Sequence, residues 1–283
     1  MSHESPGLPG TSWLGAPIDA RPLFGPELAT LVATLRDLRP ADWRRKAVPR
    51  WTVHDVAAHI LGDCLARLDD TPGGLRGGPR PGETLEAFIH RTNQEWVDLH
   101  AGDEPAALIG ELEAAGTRLA GRFATADPEA PAMGVSWAGA DPAPAWLDIA
   151  REFTEYWTHR QQIRHAVGHG TDPEPGALSV VLDTSMRALP HTLRHTAAPA
   201  GTRVEVIAEG AGGGRWTATA TPDRWSLAEP PGGAPDASVV VDTETLWLLC
   251  TRGIEPATAL GRAEVRGERR LAEAACGIIS IVR

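Results

Sequence analysis

The sequence predicts an α+β fold, a helical bundle followed by a small α+β domain. Two observations carry this. Apolar residues recur at helical spacing from residue 23 to about 196. From about residue 200 the pattern changes to alternation and β-branched residues, between Gly-rich and Pro-Asp turns. At 283 residues the chain has room for one large domain or two ordinary ones, and 42% apolar and 23% charged residues suffice to bury a sizeable core.

LFGPELATLVATLRDL (23–38) places Leu28, Leu31, Val32 and Leu35 on one helix face. PADWRRKAVPRW connects it to TVHDVAAHILGDCLARL (52–68). There Thr52 is a good N-cap, and Asp55, three residues on, stands in for the Glu of a capping box. TPGGLRGGPRPGE is a Gly/Pro-rich loop. TLEAFIHRTNQEWVDLH (84–100) and EPAALIGELEAAGTRLAGRFA (104–124) are the third and fourth helices. After a Pro/Gly/Ala stretch (127–144) comes AWLDIAREFTEYWTHRQQIRHAVG (145–168), a long helix ended by Gly168 and Gly170. GALSVVLDTSMRALPHTLRHT (176–196) is a helix interrupted by Pro190. TRVEVIAEG, GRWTATATP, RWSLAEP and ASVVVD read as strands, and TETLWLLCTRG and GERRLAEAACGIISIV as helices.

A net charge of −10 argues against a general nucleic-acid or membrane-surface binder. No apolar run has the length of a membrane span. MSHESPGLPGTSWLG lacks the basic end and apolar core of a secretory signal and reads as a loose arm. Cys64, Cys250 and Cys276 are an odd, scattered set without a CxxC. That argues against a disulfide framework and a thiolate zinc knuckle, and for a reducing cytoplasm. Lys46 is the only lysine, an imbalance expected of a GC-rich, actinobacterial genome.

Several familiar motifs fail. There is no HExxH. GVSWAG departs from the nucleophile elbow at Ala138. EGAGGGR departs from a dinucleotide fingerprint at Arg215, and between two strands it reads as a hairpin turn. Three pairs have i, i+4 spacing on helices: Glu155/His159, His165/His169 and His191/His195. Four residues leave two side chains roughly 40° apart. The two His/His pairs sit in polar surroundings and read as solvated. Glu155/His159 borders a buried face made by Ile149, Tyr156, Ile163 and Val167. Such a pair is a surface ion pair, a hydrogen bond, or two legs of a metal site. His59, beside Val56 and Ile60 on the second helix, would be the third leg, leaving an open position for water or thiol. Cys64 is about 140° round the helix from His59 and reads as core.

WTVHDVAAHILGD (51–63) and EFTEYWTHRQQIRHAVG (152–168) together resemble the mycothiol-dependent maleylpyruvate isomerase family of DinB-like bundles. The shared pattern is a Trp-Thr-Val-x-Asp-Val-x-x-His block and a later Glu-x-x-x-His. The resemblance implies a flexible arm (1–20), a DinB-like four-helix metal-binding bundle (21–198) and a sterol-carrier-protein-type α+β domain (199–283). It places the metal ligands on His59, Glu155 and His159, with zinc as the divalent metal and mycothiol or another low-molecular-weight thiol as co-substrate. The implied activity is cis/trans isomerisation of an electron-poor small molecule, or S-transfer to it. A zinc hydrolase without a thiol, and a non-catalytic small-molecule binder, are the other readings.

Further residues follow from the same resemblance. Asn93 and Trp96 in RTNQEW fall on a segment lining the bundle cavity. Asp63, one turn beyond His59, is either solvated or set to orient a ligand or accept a proton. Arg252 in CTRG, with Arg262 and Arg266 as alternatives, would face an anionic substrate. One departure stands out. Many relatives carry Asp in His-x-x-Asp-Ile-Arg, where this chain has Gln162. The oligomeric state is left between monomer and homodimer.

Overall fold

The computed structural model describes residues 10–69, 77–172, 174–228 and 233–281. The first nine residues of the expected arm, residues 71–76 of the Gly/Pro-rich loop and the end of RWSLAEP lie outside them. The chain divides into two compact units, each discontinuous in sequence.

One unit takes residues 21–125 and 155–172 and is helical. It holds α1 (Phe24–Arg36), α2 (Val53–Leu68), α3 (Leu85–Leu99), α4 (Pro105–Ala124) and the second half of α5 (Ala145–Ala166). α4 packs along both α1 and α2, and α3 packs on α2. The apolar stripes explain this: Leu28, Leu31, Val32 and Leu35 of α1 are buried, as are Leu108, Leu112, Ala115 and Leu119 of α4. At Gly116 a β-carbon would stand 2.7 Å from Leu28 Cδ1, so the missing side chain lets α4 close on α1.

α2 begins on the capping box its sequence predicts. Thr52 Oγ1 accepts from the Asp55 amide at 3.3 Å, and Asp55 Oδ2 accepts from the Thr52 amide at 2.8 Å. Val53, Val56, Ala57, Ala58, Ile60 and Leu61 are all buried, so α2 is the central rod of this unit. In the second half of α5, Tyr156, Trp157 and Ile163 are buried. Arg160 is buried beside them, its charge met by Glu27 of α1 at 3.0 Å and Asp172 at 2.7 Å. Gly168, at φ 88°, ends the helix, and the His169 amide turns back to the Arg164 carbonyl at 2.9 Å.

The other unit holds the sheet. Its strands are β3 (Arg203–Glu209), β4 (Gly214–Ala220), β5 (Trp225–Ser226), β6 (Ala237–Asp242) and β7 (Glu264–Gly267), in the order β5-β4-β3-β6-β7. β3 and β6 run parallel, with Val206 opposite Val239, and the other pairs are antiparallel. EGAGGGR is the β3–β4 hairpin, as expected, with Gly210 and Gly212 at positive φ. The same unit contains a small ladder of β1 (Pro131–Ala132) and β2 (Ala143–Pro144), and the first half of α5. Its further helices are α6 (Pro175–Met186), α7 (Leu189–Leu193), α8 (Thr243–Cys250), α9 (Pro256–Arg262) and α10 (Arg269–Ala275).

The architecture is thus mixed α and β with a helical N-terminal part, as the sequence predicts. Four details differ. The helix expected over 176–196 is two, because Pro190 sits in the first turn of α7, where its missing amide costs nothing. The last helix stops at Ala275, and residues 277–281 do not continue it. The short elements β1, β2, β7 and α9 were not foreseen. Residues 10–20, expected within a loose arm, are instead tied down. Leu14 is fully buried, its carbonyl accepts from Arg187 at 2.6 Å, and Trp13 accepts the Leu227 amide at 2.8 Å. Among the described residues no helix is long and apolar enough to cross a membrane. All three cysteines are buried and outside any disulfide.

Candidate metal centre

His59, Glu155 and His159 converge. A potential ligand atom from each lies within 4.8 Å of the others. α2 supplies His59 and α5 supplies the other two, one turn apart on a single face. His59 is buried, and the side chains of His159 and Glu155 are 12% and 22% exposed. The two imidazole rings meet edge to face, with centroids 4.9 Å apart.

The surroundings orient each ring. His159 donates from Nδ1 to Gln162 Oε1 at 2.8 Å. In the neutral ring that bond keeps the proton on Nδ1, so the lone pair is then on Nε2. Nε2 is buried, makes no hydrogen bond and lies 3.5 Å from Glu155 Oε2. An orphaned buried imidazole nitrogen beside a carboxylate and a second imidazole is a donor set for a borderline cation such as zinc. Burial opposes a charge on His159, but Glu155 and Gln162 outweigh it and hold its pKa above the ordinary histidine value. His59 packs under the Trp51 indole at 4.8 Å, and that indole donates to Gln94 Oε1 at 3.1 Å.

Asp63 is half-buried rather than fully in solvent. Its Oδ2 lies 3.3 Å from His59 Nε2, and its side chain is 17% exposed. Trp96 joins α3 to α2: its indole donates to the Ala58 carbonyl at 2.8 Å and lies over Gly62, where a β-carbon would stand 2.7 Å away. Asn93, on the same helix, keeps a buried Oδ1 with no hydrogen-bond partner. Cys64 is core, as expected, with Sγ 2.9 Å from Tyr156 Oη.

Arg252 belongs to the other unit. It is exposed just beyond α8 at φ 61°, the one non-glycine residue at positive φ among the described residues. Its two alternatives are engaged elsewhere: Arg262 reaches Thr245 Oγ1 at 3.5 Å and Arg266 pairs with Glu264 at 2.8 Å. Of the His/His pairs, His165 and His169 are exposed, but His191 is half-buried against Gly139 and its pKa is lowered, chiefly by burial.

Sequence reasoning named the three central residues and singled out Asp63 beside His59, but not the parts played by Trp51 and Gln162. Gln162 was read as a lost charge rather than as an acceptor, although its i+3 spacing from His159 puts it within reach. Asp63 carried the same i, i+4 signal from His59 that singled out Glu155 and His159.

Residues 24–164 match the family described as the mycothiol maleylpyruvate isomerase N-terminal domain. Two solved structures are similar, one of the mycothiol-dependent maleylpyruvate isomerase and one of a mutant of it. Each is 15% identical over 92% of this chain and 97% of the other, with TM-scores of 0.53 and 0.52 respectively. At that identity they show the fold. Comparison with curated proteins finds no match.

Proposed function

The chain belongs to the family of the mycothiol maleylpyruvate isomerase N-terminal domain, and we propose that it is a zinc-dependent enzyme that uses a low-molecular-weight thiol such as mycothiol. Its reaction is cis/trans isomerisation of an electron-poor small molecule, with S-transfer as the variant outcome on the same site. The observation that carries this is the convergence of His59, Glu155 and His159 around a buried, unbonded His159 Nε2. Family membership adds the thiol.

In this proposal the three residues hold the metal, and the metal supplies positive charge that favours the thiolate form of a nearby thiol. Gln162 keeps the His159 proton on Nδ1 and so presents Nε2 inward. Trp51 fixes the His59 ring. Glu155 offsets part of the cationic charge. The thiolate adds to the electron-poor double bond, the resulting single bond rotates, and loss of the thiolate restores the double bond in the trans form. If a proton from solvent quenches the enolate left by the addition before that loss, the product is the thioether. Asn93 offers a buried oxygen to a polar substrate group, and Trp96 holds its helix in place. Arg252, held at an unfavourable φ on an exposed turn, binds the substrate anion. Residues 199–283 act as the sterol-carrier-type domain and 21–198 as the bundle.

The test is a turnover assay on maleylpyruvate with zinc-loaded protein, with and without mycothiol. Isomerisation that needs both supports the reading. Isomerisation indifferent to the thiol, or thioether accumulating in its place, decides between a thiol-free reaction and S-transfer.

A further inference from the structure

We infer that Gln94 of α3 is a positioning residue for His59, acting through Trp51, with Asp98 fixing the orientation of its amide. The inference rests on the metal site proposed above and extends its support to α3. Trp51 stands just before the N-cap of α2, and a turn holds its backbone. Its amide donates to the Val48 carbonyl at 3.2 Å, and its carbonyl accepts from the Ala47 amide at 3.0 Å. That fixes where the side chain starts, but not how the indole lies. The indole reaches the His59 ring, with centroids 4.8 Å apart and planes at 44°. Its N–H donates to Gln94 Oε1 at 3.1 Å, and Gln94 Nε2 donates to Asp98 Oδ1 at 2.8 Å.

Chemistry forces the order of this relay. An indole nitrogen can only donate, and a carboxylate can only accept. An amide between them has one satisfactory orientation, oxygen toward Trp51 and nitrogen toward Asp98. Turned over, it would set N–H against N–H and oxygen against oxygen. Gln94 and Asp98 are four apart on α3, so the helix itself supplies their spacing. Trp96 ties the same stretch of α3 to α2 through the Ala58 carbonyl, one residue before His59. α3 is thereby a fixed post that holds the indole against the imidazole. An apolar residue before an N-cap commonly packs on its own helix, but that role needs no partner for the indole N–H. Released from Gln94, the indole loses its fixed angle, and His59 gains a freedom that metal binding must remove.

The test measures zinc affinity, by chelator competition, beside urea melts of the metal-free protein. Wild type, Gln94→Leu, Trp51→Phe and the double variant are compared. Gln94→Leu should bind zinc about tenfold more weakly. Trp51→Phe keeps a ring but no N–H, and should lose a similar factor. The double variant should lose no more than either single one, because both remove the same bond. Gln94→Glu keeps an acceptor for the indole but sets two carboxylates one turn apart on α3. Its melt should fall while its zinc affinity stays within about twofold of wild type. Gln94→Leu with wild-type affinity overturns the inference and leaves the metal site standing. So does Gln94→Glu as weak as Gln94→Leu, or a further tenfold loss when Gln94→Leu is added to Trp51→Phe. Asp98→Ala changes an exposed position and serves if Gln94→Leu does not fold. A loss on the order of threefold there supports the inference, and no loss overturns it. A wild type that takes up no zinc overturns the metal site, and the inference with it.

Discussion

His159 and Gln162 share a hydrogen bond of 2.8 Å that settles which nitrogen of the imidazole faces inward. Gln162 Oε1 accepts the hydrogen bond from Nδ1–H, and Nε2 is left toward Glu155. Gln162→Leu removes the acceptor while keeping similar bulk. Metal affinity, measured by competition with a chromophoric chelator, should fall about 10–100-fold. Gln162→Glu restores an acceptor and should recover most of the loss.

Acidity should act through the same ring. His159 has a folded pKa above its unfolded value, so its proton stabilises the metal-free fold fully below about pH 6.5. That contribution fades as pH rises through the raised value. Urea melts of the metal-free protein should show this slope, and His159→Gln should lack it. The same proton competes with a cation, so metal uptake should strengthen with rising pH over that window.

Packing between α2 and α3 depends on a missing side chain. Gly62→Ala places a β-carbon 2.7 Å from the Trp96 indole and pushes it off the Ala58 carbonyl. Overpacking of this kind should cost about 1–3 kcal/mol in chemical denaturation. Trp96→Phe should lose the indole hydrogen bond without the clash and cost less.

Arg252 separates stability from function. A non-glycine residue at φ 61° carries a backbone penalty that glycine lacks. Arg252→Gly should therefore raise stability by about 1 kcal/mol. It should also raise KM for an anionic substrate, because the guanidinium is gone. Arg252→Lys, which keeps a charge, should raise KM less.

Much of this was legible in the sequence, for definite reasons. Helices α1 to α5 are long and carry regular apolar faces, and Thr52 with Asp55 announced where α2 begins. β3, β4 and β6 alternate or run apolar for six or seven residues. β7 has four residues and α9 has seven, too few for a period to emerge, and β7 exists only because β6 offers it an edge. The His/Glu/His group was readable because two of its members share a helix face. Gln162 was harder, because it is an ordinary polar residue until a partner ring is placed beside it. The packing of residues 10–20 was hidden too, since Leu14 has no periodic neighbours to mark it as core.

The account stands most directly on metal content. Purified protein, reloaded with zinc and freed of excess, should hold one zinc per chain by elemental analysis. His159→Ala, folded by circular dichroism, should hold far less. A wild type without stoichiometric metal, or a His159→Ala variant that retains it in full, would contradict the account.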